Sequence, residues 1–184
     1  IGKEKGLFIV DDAIEAFGSE YKNRKIGNTG SDATVFSFQT VRLPNTIDGG
    51  AISFKDSNHF EKAKRIRDYG IDRRFFRDSL GEISIESDIS EPGYGALLSE
   101  MNSYIGCQQM EKLPGLLETQ RKNAEAWIDF CRANDIRTME RTFQSPNYWI
   151  FGILAPNKNK AIKQFRELGY YASGVHLPNS NYSV

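Results

Sequence analysis

The sequence predicts an α/β protein, and three observations carry that prediction. Leu7-Phe8-Ile9-Val10 is a short apolar run ended by Asp11-Asp12. Thr34-Val35-Phe36 is a second such run, ended by Ser37 and the polar loop that follows. Thr34 to Phe36 reads as a buried strand, and Leu7 to Val10, whose two faces must both be covered, as a parallel one. The third observation is the close of the chain. Tyr148 to Leu154 reads as a strand, Lys158 to Leu168 as an amphipathic helix ended by Gly169, and Tyr170 to His176 as extended. Strand, helix and strand make a small α+β unit apart from the first sheet. The expected division is residues 1–112 for the larger unit and 113–184 for the smaller.

The remaining elements follow from local chemistry. Ala13 to Phe17 reads as one or two helical turns closed by Gly18-Ser19. Asp11 or Asp12 is either an N-cap for those turns or an acid aimed into a site. Tyr21 to Asp32 is polar and glycine-rich and reads as a hairpin-like excursion. Gly49-Gly50 turns the chain into a strand at Ala51-Ile52-Ser53-Phe54. Ser57 is placed to cap a helix from Asn58 to about Tyr69, and Gly70 ends it. Asp72 to Pro92 is charged, aromatic and without period, as lids and interface loops are. A helix is expected from Leu98 to Met110, continuing past a bend at Pro114-Gly115 to Asn134. Its buried stripe is expected at Leu116, Leu117, Ala124, Trp127, Ile128 and Cys131.

Charge and cysteine content exclude several function classes. Lys plus Arg number 24, Asp plus Glu number 24, and the net charge is zero. That balance points away from nucleic acid and membrane partners. The basic run from Lys62 to Arg77 alternates with acids and aromatics, as a solvated helix and loop would. Cys107 and Cys131 are far apart, with no metal spacing and no disulfide framework. Two reduced, packed thiols suit a cytoplasmic setting. No apolar stretch reaches the length of a membrane span. Ile1 to Gly6 reads as the tail of a helix feeding a strand, and Asn181 to Val184 stops without a cap. The expectation is a piece of a longer protein.

The chemistry concentrates in three places. Asp12 ends one strand, Ser37 with Gln39 ends another, and Arg42 stands in the loop after it. In open α/β sheets, ligands sit outside the carboxyl ends of the strands. An acid, a hydroxyl and a cation there suit a phosphorylated, nitrogen-containing ligand. An N-cap, a strand-end serine and a surface arginine account for the same residues, and spacing alone favours that plainer account. No metal-ligating group is expected.

Longer motifs add a resemblance. Val10 to Ser19, Arg24 to Gly27, Val35 to Phe38 and Ile47 to Ala51 resemble the DegT/DnrJ/EryC1/StrS family of PLP-dependent sugar aminotransferases. Lys64 to Arg73, Gly93-Tyr94, Ile105 to Leu113, and Arg121 to Ala124 extend the likeness. Val175-His176 and Asn179 to Tyr182 resemble a C-terminal segment of perosamine-synthase-type relatives. The resemblance implies fold type I, as in aspartate aminotransferase: the second half of the large domain plus a partial small domain. The missing half would carry a phosphate loop and the aromatic residue that stacks on PLP. It also implies cytoplasmic dimers that move an amino group from glutamate to a nucleotide-linked keto-sugar, for polysaccharide or antigen sugars.

By motif position the resemblance gives Asp12 the PLP pyridine nitrogen and Ser37 the phosphate. Glu15 falls where the family usually has His or Gln against the cofactor. Arg42 falls on the Schiff-base lysine. An arginine is not deprotonated in proteins, so it neither forms a Schiff base nor serves as a ready base. The sugar 3-dehydratases of the family have His there, and Arg42 is not His either. Gly93-Tyr-Gly-Ala-Leu-Leu98 is apolar where the family is polar or basic. Together these departures point to an impaired aminotransferase. The alternative is an inactive sugar-nucleotide-binding or structural subunit pairing with an active paralogue; the expected assembly is a homodimer or a heterodimer with a paralogue. A weaker third reading is a lysine-free, dehydratase-like enzyme.

Overall fold

Ala33–Ser37 (β4) is the central strand of the main sheet, and its composition explains that place. Ala33, Thr34 and Phe36 are buried, and the β-branched and aromatic residues favour extended backbone. A computed structural model describes residues 1–139, 144–174, 177 and 179–181. Val10–Asp12 (β1) pairs with β4 in parallel, with Asp12 opposite Val35. Gly50–Phe54 (β5) pairs with its other edge, antiparallel, with Ser37 opposite Gly50. The sheet order is therefore β1-β4-β5. Full cover of the first strand is not met. Leu7, Phe8 and Val10 are more than half exposed, since β1 is paired along one edge only.

A second small sheet packs the polar excursion. Glu20–Tyr21 (β2) and Arg24–Lys25 (β3) form a tight hairpin. Lys22 and Asn23, at φ +49° and +59°, supply its two-residue turn. Gln144–Ser145 (β7) adds to the free edge of β2. Two expectations change here. Ala13 to Gly18 forms turns rather than a helix, and the strand predicted from Tyr148 to Leu154 is confined to Ile153–Leu154 (β8). Tyr148 adopts φ +49°, which breaks extended backbone before β8 begins.

The first long helix, Ser57–Arg67 (α1), is capped by Asp56 rather than Ser57: the Asp56 Oδ1 accepts from Asn58 N at 2.7 Å. The next, Glu100–Ala133 (α2), runs through Pro114 as one element of 34 residues. The lost N–H of Pro114 removes one ladder bond without ending the helix. The chain divides inside α2, between Asn123 and Ala124, later than the expected 112/113 boundary. The first unit holds residues up to Asn123 and takes back the described residues of Thr142–Trp149. That return follows from the pairing of β7 with β2 and from Asn147, described below.

In the second unit, Arg137–Thr138 (β6) pairs antiparallel with β8, and Lys158–Glu167 (α3) follows. Trp127 lies among Phe130, Phe151, Phe165 and Tyr170, with ring centroids 5.5 to 6.3 Å apart. Ala124 and Cys131 are buried in this unit, while Leu113 and Leu117 are buried in the first. Leu116 is instead exposed, one position off the stripe. Residues 170–174 are irregular, and the expectations for Val175, His176 and Tyr182 lie outside the described residues.

The segment after α1 is fixed by ion pairs. Asp68 accepts from Arg73 Nε and Nη2 at 2.6 and 2.7 Å, which holds its carboxyl below the usual range. Asp72 accepts from Arg74 Nε and Nη2, and that guanidinium lowers its pKa from 3.8 to about 2. A depressed carboxylate pKa stabilises the fold above the unfolded value and stops doing so as pH falls through the folded one. Melting temperature should therefore drop between pH 3.8 and about 2, and Asp72→Asn should flatten that slope. The effect should shrink in high salt, since the pair is solvent-exposed. A slope unchanged by Asp72→Asn would remove this pair from the account.

Candidate functional site

Parallel pairing sets Asp12 and Ser37 at the same end of adjacent strands. Asp12 faces Val35, and Ser37 stands two positions further along β4. The Asp12 carboxylate is exposed, and its Oδ1 accepts from Ile14 N at 3.3 Å. No helix starts there, so the N-cap reading is not met. Ser37 Oγ accepts from Gln39 N at 3.4 Å, and its own hydrogen remains available to an acceptor. Gln39 is exposed. Its carbonyl accepts from Arg42 N at 2.8 Å and so forms the turn that leads to Arg42.

The loop that carries Arg42 is closed by its own backbone. Phe38 N donates to Gly49 O at 2.8 Å, and Thr46 N to Phe38 O at 2.7 Å. The buried Thr46 hydroxyl donates to Asp48 O at 2.5 Å. Gly49 sits at φ +117° beneath Leu98, where any side chain would meet both backbone strain and the leucine. A Cβ at Gly50 would run into the Phe36 carbonyl, so both glycines of the pair are required.

Arg42 is turned inward, with only 13% of its side chain exposed. The surface-arginine reading is thereby corrected. Nη1 donates to Glu15 Oε1 at 2.9 Å. The guanidinium carbon lies 4.4 Å from the Trp149 ring centre, a cation–π contact. The Trp149 indole N–H donates to Val41 O at 2.5 Å and fixes the ring in that place. Arg42 Nε is buried without a hydrogen-bond partner, a cost carried by the ion pair and the stacked ring.

Trp149 and Asn147 were not among the residues singled out from sequence. Asn147 is 6% exposed. Its Nδ2 donates to Glu15 O at 2.8 Å and to Phe17 O at 3.0 Å, and its Oδ1 accepts from Trp149 N at 3.0 Å. Arg121 adds Nη2 to Gly18 O at 3.2 Å and Nε to Pro146 O at 3.3 Å. The Ser145-Pro146-Asn147 cluster is a turn signal that argued against a strand starting at Tyr148. Nothing local pointed it at Arg42.

The donor set can be tested against a phosphorylated pyridine. Asp12 offers an exposed acceptor for a protonated ring nitrogen, and Ser37 offers a hydroxyl to a phosphate. Both fit non-covalent retention. Arg42 does not fit covalent attachment, because a guanidinium paired with Glu15 has no free amine to offer. Among the described residues no cluster of His, Cys, Asp or Glu could hold a metal ion. No described helix is long and apolar enough to cross a membrane.

Comparison with known proteins gives the same direction. The family described as DegT/DnrJ/EryC1/StrS aminotransferase matches residues 1–176. The UDP-4-amino-4,6-dideoxy-N-acetyl-beta-L-altrosamine transaminase of Campylobacter jejuni is 33% identical over 122 residues, which is 66% of this chain and 30% of that protein. The structure of Helicobacter pylori PseC, an aminotransferase involved in pseudoaminic acid biosynthesis, superposes with TM-score 0.82 at 26% identity. That match covers 99% of this chain and 48% of the other. A sugar aminotransferase structure from Streptococcus pneumoniae, in PLP form, has TM-score 0.72 at 22% identity, over 90% of this chain and 43% of the other. The chain thus spans less than half the length of these relatives. The fold-type-I expectation is met by these superpositions.

Proposed function

The chain belongs to the DegT/DnrJ/EryC1/StrS aminotransferase family, and from that premise we propose that it is part of a sugar-aminotransferase homologue whose PLP site is impaired at position 42. The observation that carries this reading is Arg42 itself. It occupies the loop position where the family resemblance expects the lysine, and it is committed to Glu15 beneath Trp149. Asp12 would hold a proton on the pyridine nitrogen, and Ser37 would bind the phosphate. When bound, PLP supplies an electron sink. Arg42 and Glu15 remain paired with each other.

A nucleotide-linked keto-sugar, with glutamate as amino donor, is the substrate class we assign to the parent reaction. The altrosamine transaminase and PseC, both enzymes of amino-sugar biosynthesis, support it. Cys107 and Cys131 are free thiols, which suits a cytoplasmic protein. A second reading is a subunit that pairs with another copy or with an active paralogue. Tyr94, Leu97, Met101 and Tyr104, exposed large apolar side chains close together in sequence, favour it as candidates for a contact surface.

The test is spectroscopic. The full-length protein mixed with PLP and then borohydride should show no Schiff-base absorbance and no fixed adduct by mass spectrometry. A stoichiometric adduct on any of its lysines would overturn the impaired reading. Non-covalent retention should still appear as PLP co-eluting on gel filtration, and should be lost in Asp12→Ala.

A further inference from the structure

We infer that Glu15 positions the cation at residue 42, and that an amine placed there would be held as an ion pair and kept from reacting. This rests on the reading of position 42 given above. The Glu15 carboxylate is 2.9 Å from the guanidinium, and the residue is also fixed through its backbone carbonyl, which accepts from Asn147 Nδ2 at 2.8 Å. The two side chains are unequally wet, at 13% exposed for Arg42 and 35% for Glu15. The cation therefore depends on the acid more than the acid depends on the cation. Trp149 covers one face of the guanidinium and leaves its in-plane N–H edge, where Glu15 binds, as the direction for a hydrogen-bond partner.

The consequence for chemistry is direct. A lysine at 42 would end slightly short of the present Nη1, within reach of Glu15 through its side-chain torsions. A carboxylate at hydrogen-bond distance from a shielded ammonium favours the protonated form. A protonated amine has no lone pair with which to attack a carbonyl. The arginine at 42 and the acid at 15 are therefore one coupled feature. Changing residue 42 alone would leave the new amine locked.

Three variants of the full-length protein test this: Arg42→Lys, the double variant Glu15→Gln/Arg42→Lys, and Glu15→Asp/Arg42→Lys. The primary probe is acetic anhydride at neutral pH. The amine nitrogen attacks the anhydride carbonyl, and acetate leaves together with the amine proton. Acetylation at residue 42 is read by peptide mass mapping against the remaining lysines. The double variant should react at least about tenfold faster than Arg42→Lys, the factor that corresponds to one pKa unit. Equal rates would overturn the inference. Should the glutamine variant lose its native circular dichroism, Glu15→Asp/Arg42→Lys serves instead, its carboxylate withdrawn by one methylene.

A second probe separates this inference from the cofactor reading. PLP is added, the amine nitrogen adds to its aldehyde carbon with loss of water, and borohydride reduces the C=N bond formed. An adduct at residue 42 in the double variant, and not in Arg42→Lys, supports both readings. A tenfold difference in acetylation with no PLP adduct in either protein supports the lock and overturns the cofactor reading. An adduct of equal yield in both proteins overturns the lock.

Discussion

Asn147→Leu should lower the stability of the first unit by about 3 kcal/mol, read as a shifted denaturation midpoint at constant slope. Asn147 is 6% exposed, and its side chain makes three hydrogen bonds, to Glu15 O, Phe17 O and Trp149 N. Leucine fills a similar volume and offers none. The two carbonyls and the N–H, all part-buried, would lose their partner, at roughly 1 kcal/mol each. The Asn147 backbone N–H would keep its bond to Ser19 Oγ, at 2.9 Å, so part of the anchor should survive. Release of Trp149 from its backbone bond should also expose Arg42, raising its reactivity toward phenylglyoxal. A loss below about 1 kcal/mol would mean the segment is held by β7 pairing and Arg121 instead.

Phe36→Ala should cost more, about 3–5 kcal/mol, as large aromatic deletions in packed cores do. Phe36 is 8% exposed on the central strand and meets Phe17 edge to face, with centroids 5.1 Å apart. Phe17 in turn meets Phe38 at 5.6 Å. Gly27 lets the ring approach closely, since a Cβ there would lie 3.0 Å from the ring tip. The deletion therefore opens a cavity between the turn that carries Glu15 and the strand that carries Ser37. Phe8→Ala is the matched comparison. Phe8 is 52% exposed, and its loss should cost a small fraction of the Phe36 value. Equal losses at the two positions, measured by denaturant titration, would show that Phe36 is not the core of this sheet.

How much of this was legible in sequence depends on how far each contact reaches along the chain. Asp12 and Ser37 could be placed at strand ends because apolar runs stop where polar residues begin, a signal confined to a few neighbours. The parallel pairing of β1 agreed with the unbroken apolar run that precedes it, although β1 proved half exposed. The Gly49-Gly50 turn was legible for the same local reason. Helix ends were less so: Asp56 caps α1 in place of Ser57, one residue earlier, because either side chain can accept from the first free N–H groups.

By itself, then, the sequence determined the class of fold, the two strand ends that hold Asp12 and Ser37, and the presence of a cation where the family resemblance expects a lysine. It did not determine what that cation does. On spacing alone Arg42 read as a surface charge, and its burial comes from residues far away in the chain. Trp149 bonds to Val41 across 108 positions, and Asn147 to Phe17 across 130. Such contacts leave no periodic trace, because they depend on the path that returns residues 144–149 to the first unit. Only the folded chain brings the Glu15 carboxylate and the Trp149 indole to one guanidinium, with Asn147 holding the backbone that carries both. That arrangement pairs Arg42 with an acid and covers one of its faces.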